Sequence, residues 1–399
     1  MTPSSVIPPL ANRLKKLPPY LFVQIDARKE QMIRQGRDVI DMGVGDPDEP
    51  TPSFVLQAMV KALKRREFHR YPTNRGLGTF RAAIARWMKS RFGISLDPDT
   101  EILPLIGSKE GIAHLPLAYV NPGDRVLVPD PGYPPYKTGT LLAGGRPVSV
   151  SLRAQNRFLP DLDHLKRQAA ASKAKLLFLN YPNNPTAAVA DLNFFRELVR
   201  LAHRVGIPIC HDAAYSEIGF GRFRHPSFLQ VPGAKEVGIE FHSLSKTFNM
   251  TGWRIGWVCG NKQMVSALAK VKSNIDSGVF EAVQMAGVAA LRRTGPHLKR
   301  MIQIYQGRRD LIVSALQQAG WSVDPPKATF YIWVPLPAES SSQEMAARLL
   351  EKQGIVATPG VGFGDCGEGY IRFSLSVPTP RLQEAARRIK RLCLTSSSG

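Results

Sequence analysis

Short apolar runs recur through the middle of the chain. Residues 102–106 (ILPLI), 125–129 (RVLVP), 146–152 (RPVSVSL), 175–180 (KLLFLN), 207–212 (IPICHD), 238–243 (GIEFHS) and 255–260 (IGWVCG) are each of strand length. Helical stretches separate several of them, 193–205 for example, and the turn at 107–109 leads from a strand into a helix over 110–120. Apolar runs alternating with helices predict a mostly parallel sheet covered on both faces. Upstream, the pattern predicts an irregular arm over 1–19, a helix over 20–35 closed by Gly36, a helix over 52–66 and another over 80–92 (FRAAIARWMKSRF). Between them, 41–52 (DMGVGDPDEPTP) is a loop by its glycines and prolines, not a dinucleotide fingerprint, because no helix starts on its glycines. Beyond about residue 290 the order changes to a long helix (295–318), a strand (330–334), a helix (343–353), a strand (370–376) and a helix (381–394). That order reads as a smaller α+β domain.

A chain of 399 residues is too long for one simple core. The expected division is an arm (1–19), a small domain (20–48 with 291–399) and a large domain (49–290). Composition narrows the class. Apolar residues make up 43%, enough for sizeable cores, and no apolar run is long enough to span a bilayer. The first twenty residues are broken by prolines and lack the apolar centre of a signal peptide, so a cytoplasmic protein is expected. Cys210, Cys259, Cys366 and Cys393 form no CxxC pair, which argues against zinc and redox motifs; no metal is expected. Cys210 and Cys259, inside strand-like runs, read as buried free thiols. The balance of 53 basic against 32 acidic residues gives a net charge of +21. The basic clusters at 64–66 and 387–391 lie on helix-like segments, where a charge run is a solvated face, and no nucleic-acid motif accompanies them. Neither nucleic acid nor membrane is expected as a partner.

The chemistry centres on 243–254 (SLSKTFNMTGWR). Lys246 lies between two apolar runs, where an ammonium is costly unless paired or neutral. A protected lysine loses its proton more easily and can form a Schiff base with a carbonyl. Ser243, Ser245 and Arg254 supply donors of the kind a phosphate needs. A carbonyl and a phosphate together point to pyridoxal phosphate; the alternative is a surface loop with solvated charges. Other candidates fall at strand ends, where open α/β sheets bind ligands. Ser108 and Lys109 form a strand-to-helix turn that could cradle a phosphate or simply cap the helix. Tyr133, in DPGYPPY, could stack on a planar cofactor or fill a core. Asn184, in YPNNPT, could bond a phenolic oxygen or form the turn. Asp212 could pair with a pyridinium nitrogen or cap a helix, and Tyr215 lies a turn beyond it. His211, beside Asp212, reads as structural. Arg372, inside YIRFSLS, either pairs with an internal carboxylate or meets a ligand carboxylate.

Together, GVGDPD, YPTNRGLG, GSKEG, the PGYP turn, NYPNNPT, HDAAYSE, SLSKTFNMTGWR and YIRFSLS resemble, in order and spacing, the fold-type I pyridoxal-phosphate enzymes. The similarity is to the class I/II aminotransferases, over about 20–394. The resemblance implies that Lys246 holds the cofactor as a Schiff base, with Asp212 at the ring nitrogen, Asn184 and Tyr215 at the phenolic oxygen, and Tyr133 stacked on the ring. It implies Ser108, Lys109, Ser243, Ser245 and Arg254 around the phosphate of pyridoxal 5'-phosphate, helped by Tyr71 from the other subunit of a homodimer. Gly45, Arg372, Asn184 and Tyr20 would meet the substrate. The implied activity moves an amino group between an L-amino acid and a 2-oxo acid by a ping-pong mechanism. GSKEGIAHLPLAYVNPGD, HDAAYSEIGF and SKTFNMTGWRIGW look most like the LL-diaminopimelate aminotransferase group of lysine biosynthesis. One departure is Ala187, where the family has a glycine after NPT. Aspartate, alanine and other aminotransferases share most of these motifs and remain alternatives. So does a C–S lyase on the same cofactor. A cofactor-sensing transcription regulator would need an added DNA-binding domain, for which some twenty irregular residues before the match are too few.

Overall fold

The computed structural model of the chain describes residues 7–17, 21–337 and 340–391, and of 21–26 only the backbone. Tyr20 and Cys393 lie outside the described residues. The first strand, β1 (Ile40–Asp41), has two residues. The chain then builds β2 (Ile102–Leu105), β3 (Arg125–Asp130), β4 (Arg146–Ser151), β5 (Leu177–Asn180), β6 (Ile209–Asp212), β7 (Gly238–Ser243) and β8 (Gly256–Gly260). These seven form one sheet in the order β2-β8-β7-β6-β5-β3-β4. All neighbours from β7 to β4 are parallel; β8 alone runs against both its neighbours. The expected α/β class and mostly parallel sheet are therefore found.

Alternation along residues 176–179 shows why that run is apolar throughout. Leu177 and Leu179 join a core with Phe195, Leu198 and Trp87, while Leu176 and Phe178 join a second core with Ile112, Leu115 and Leu268. Both faces of the sheet are thus buried under helices. Leu192–Val205 shows how such a helix is specified: the Asp191 carboxylate caps it by accepting from the Phe194 N–H at 2.8 Å, Phe195, Leu198, Val199 and Ala202 make the inner face, and Gly206 ends it at φ +69°. Strand β7 carries a buried acid opposite His211 of β6. The Glu240 carboxylate accepts from His211 Nδ1 (2.9 Å), His242 Nε2 (2.8 Å), Ser227 Oγ (2.7 Å) and the Phe228 N–H (2.9 Å). Burial alone would raise its pKa, but the bonds from His211 and His242 hold it far below the usual carboxylate range. His211, expected to be structural, spends its Nδ1 on this buried acid.

The last third of the chain adds β9 (Tyr331–Pro335), β10 (Ile355–Val356), β11 (Thr358–Pro359) and β12 (Tyr370–Ser374). β11, β12 and β9 form an antiparallel sheet, and β10 pairs parallel with β1. A separate core gathers Tyr305, Ile312, Phe330, Ile332, Ile371, Phe373 and Leu382, and also takes in Tyr215, Ile218 and Phe220 from the segment after β6. Helix Ser342–Gln353 has a full capping box, Ser341 with Glu344, and ends at Gly354 with φ +62°. Some boundaries differ from expectation. The helix after β2 starts at Ser108, two residues early. One helical turn, Asn12–Lys15, interrupts the arm. The last helix is Thr379–Lys390, with Pro380 in its first turn, where a missing N–H costs nothing.

Candidate active site

The ends of β2, β5, β6 and β7 and the start of the reversed β8 lie at one edge of the large sheet, and nearly every candidate residue is there. The loop 41–52 reaches the same edge from the other core. It is held by Arg308, whose Nη1 and Nη2 grip Asp48 Oδ1 and Oδ2 at 2.6 and 2.8 Å. That grip brings Gly45 over Lys246, and Lys246 Nζ donates to the Gly45 carbonyl at 2.8 Å. Lys246 is half-buried. Burial pushes its amine down to about 8; nearby Asp46 opposes this, while Arg254 and Arg372 add to it.

Asp212, at the end of β6, is buried. Its Oδ2 accepts from the Tyr136 hydroxyl at 2.8 Å and its Oδ1 from the Ala214 N–H at 3.1 Å. Burial raises its pKa, partly offset by those bonds. Tyr136 stacks on Phe178 at 5.3 Å and meets Tyr133 edge-on at 5.8 Å. Tyr215 Oη is 2.9 Å from Tyr331 Oη. The Asn184 side chain accepts from Arg372 Nη1 at 2.7 Å, while Arg372 Nη2 donates to the Gly43 carbonyl at 2.6 Å. The guanidinium lies between the rings of Tyr331 and Phe363, 4.2 and 4.7 Å from their centroids.

The third part is a cradle of donors. Gly107 has φ +76°, and a Cβ there would overlap the Arg254 guanidinium. Glycine therefore lets the guanidinium close against the N-terminus of the twelve-residue helix Ser108–Tyr119. Ser243 and Ser245 are buried beside it, with the Ser245 N–H donating to Ser243 Oγ at 3.1 Å. Arg254 is held by the Thr251 carbonyl, which accepts from Nη1 at 2.8 Å. Backbone N–H groups, hydroxyls and a fixed cation facing one space suit a phosphate.

Residues 37–389 match the family described as aminotransferase class I and II. The chain belongs to that family. Among its relatives, the LL-diaminopimelate aminotransferase of Moorella thermoacetica is 53% identical over 384 residues, covering 96% of this chain and 98% of that one. A substrate-bound BacF structure from Bacillus subtilis superposes with a TM-score of 0.93 at 34% identity, covering 98% of this chain and 100% of the other. A Thermus thermophilus aspartate aminotransferase mutant does so with 0.90 at 29% identity, covering 97% and 100%. This aminotransferase has the fold-type I architecture and is dependent on pyridoxal phosphate. Its own residues fit that cofactor: a lysine with a depressed pKa, a buried carboxylate, and a donor cradle that a Cβ at Gly107 would fill.

The structure brings together Gly45, Ser108, Tyr133, Asn184, Asp212, Tyr215, Ser243, Ser245, Lys246, Arg254 and Arg372. The Lys109 side chain is exposed, which leaves its backbone as the part facing the cradle. Tyr71 is 89% exposed and is not drawn into the cluster. Tyr136 and Tyr331 escaped the sequence reading. Tyr136 lies in the first turn of the helix Pro135–Leu142, just after the turn that carries Tyr133. Tyr331 shares a sheet face with Arg372, since Trp333 pairs with Arg372 and Tyr331 with Ser374; strand parity was its one signal. Away from the site, Glu110, His114 and Asp276 lie close together, with buried Lys272 donating to Glu110 at 3.2 Å and to Asp276 at 2.8 Å.

Proposed function

We propose that this aminotransferase moves an amino group between LL-diaminopimelate and 2-oxoglutarate in lysine biosynthesis, by a ping-pong sequence. The near full-length relative named for that substrate, identical at more than half of the positions, carries the substrate reading. When bound, pyridoxal phosphate supplies a carbonyl and a cationic ring that withdraws electrons. In this reading Lys246 holds the carbonyl carbon and then, as a free amine, takes a proton from the substrate Cα. Asp212 is placed to pair with the ring nitrogen, with Tyr136 orienting the carboxylate. Asn184 and Tyr215 serve the phenolic oxygen, and Tyr133 lies against the ring. Ser108, Ser243, Ser245, Arg254 and the backbone at Lys109 hold the phosphate. Arg372, with Gly45, takes the substrate carboxylate.

The same reading makes the enzyme a cytoplasmic homodimer. Tyr71 stands free of its own site, and the chain also exposes the apolar side chains of Leu56, Val60, Ile275 and Phe280, as a chain that packs against a second copy would. The two units, 49–290 and 20–48 with 291–399, are proposed because their cores share few residues: the second takes in Ala214, Tyr215, Ile218 and Phe220, and the first takes in Leu291. The deciding experiment is a panel of amino donors and 2-oxo acids followed by the cofactor's absorbance. LL-diaminopimelate with 2-oxoglutarate should have the highest kcat/KM. Turnover of aspartate or alanine with none of LL-diaminopimelate defeats the substrate reading alone. Sedimentation at assay concentration should show a dimer; a fully active monomer rejects the shared site.

A further inference from the structure

Tyr331 stands where the two cores meet. It is 2% exposed, and three neighbours fix it. Its hydroxyl is 2.9 Å from that of Tyr215. Its ring lies under the Arg372 guanidinium, 4.2 Å from Cζ. Gly45 passes so close that a Cβ there would overlap the Tyr331 hydroxyl. Gly45 in turn gives its carbonyl to Lys246. One side chain therefore touches three groups that otherwise come from distant parts of the chain.

The two tyrosines share one hydrogen bond, and burial raises the pKa of both, so each keeps its proton. If Tyr331 donates, the Tyr215 proton is left over for a third atom. If Tyr215 donates, its proton is spent inside the protein. A tyrosine that serves a cofactor oxygen needs the first arrangement.

We infer that Tyr331 is a positioning residue with two separable tasks. Its hydroxyl donates to Tyr215 and so directs the Tyr215 proton into the cofactor space. Its ring face holds the Arg372 guanidinium in the orientation that meets a carboxylate. The inference rests on the roles proposed above for Tyr215 and Arg372.

Tyr331→Phe and Tyr331→Leu separate the tasks. Three quantities are read in the holoenzyme: the pH midpoint of the visible cofactor band, the cofactor Kd by dialysis, and KM against kcat for the amino donor. Tyr331→Phe keeps the ring and loses the hydroxyl. Weaker donation to the ring oxygen disfavours its anion, so the midpoint should rise by about half a unit and the Kd should rise, with KM within about twofold of wild type. Tyr331→Leu loses the ring as well, and KM should rise roughly 5- to 30-fold. A Tyr331→Phe midpoint and Kd equal to wild type overturn the inference, whatever the leucine variant does. So does a Tyr331→Phe KM raised as far as that of Tyr331→Leu, since a mere packing residue would not split the effects. A wild-type protein with no visible band would instead reject the cofactor site itself.

Discussion

The depressed pKa of Lys246 has a measurable consequence before any substrate is present. At pH 7.5 an amine with a pKa of about 8 is neutral in roughly a quarter of molecules, whereas an ordinary lysine near 10.4 is neutral in roughly one in a thousand. Only the neutral amine attacks a carbonyl, so the reactive fraction of Lys246 should exceed that of a free lysine side chain about 200-fold, and capture of pyridoxal phosphate by the cofactor-free protein should be faster, by less than that factor because a less basic amine is a weaker nucleophile. The assay is stopped-flow absorbance of apoprotein mixed with cofactor from pH 6 to 10. Each rate is divided by that of a model lysine amine at the same pH, which cancels the titration of the cofactor. The advantage should be largest below pH 8 and shrink above it as the model amine catches up. Linkage gives an independent check. Between about 8 and the unfolded value the unfolded chain binds more protons at this site, so apoprotein stability attributable to Lys246 rises with pH across that window. A ratio that stays flat across pH 6 to 10 would refute the argument, because it would mean that Lys246 titrates like any exposed lysine.

Four substitutions test the rest of the site. Lys246→Ala should still bind cofactor without a covalent link, while conversion of donor to 2-oxo acid falls by roughly two to four orders of magnitude or more; single-turnover absorbance measures both, and wild-type turnover would end the assignment. Asp212→Asn should keep the fold, since its hydrogen-bonded surroundings tolerate an amide, and raise the barrier by roughly 2–4 kcal/mol in kcat; a kcat unchanged from wild type counts against it. Gly107→Ala forces a Cβ onto Arg254 at a left-handed backbone, so the cofactor Kd by dialysis should rise by roughly 1–3 kcal/mol, with near wild-type affinity as the contrary result. Ala187 sits at φ +58°, a region glycine occupies without strain, so Ala187→Gly should stabilise the fold by about 0.5–1 kcal/mol; a lower urea midpoint would show that the turn gains nothing from glycine.

Much of this architecture is legible in the sequence because the large sheet is buried on both faces. A strand such as Leu177–Asn180 is then apolar on both faces until its last residue, and strand ends stand out where a polar residue such as Asn180 or Asp212 closes the run. Lys246 is conspicuous for the same reason. The reversed direction of β8 is not visible in its composition, since apolar runs look alike in either direction. Two-residue strands such as Ile40–Asp41 are too short to carry a pattern. Contacts across long separations are also silent: nothing in the spacing of Gly45 and Lys246 announces that one carbonyl accepts from the other's amine. Tyr136 and Tyr331 were hidden because a buried tyrosine has the same apolar signature whether its hydroxyl is idle or in use.

The place of β8 as the last strand of the large sheet also sets an order in time. With β8 beside β7 and β2, the large sheet is complete at Gly260, and Gly45, Ser108, Asn184, Asp212, Lys246 and Arg254 have all been synthesised by then. Arg372 and Tyr331 come later, on strands that pair only with each other and with β11. The residues proposed to hold the cofactor are therefore synthesised before Arg308, which grips the loop of Gly45, and before Arg372 and Tyr331. Chain order thus separates the residues proposed for the cofactor from their late supports: Tyr331, which meets Tyr215, and Arg308, which grips the loop of Gly45, are both added after the large sheet is complete.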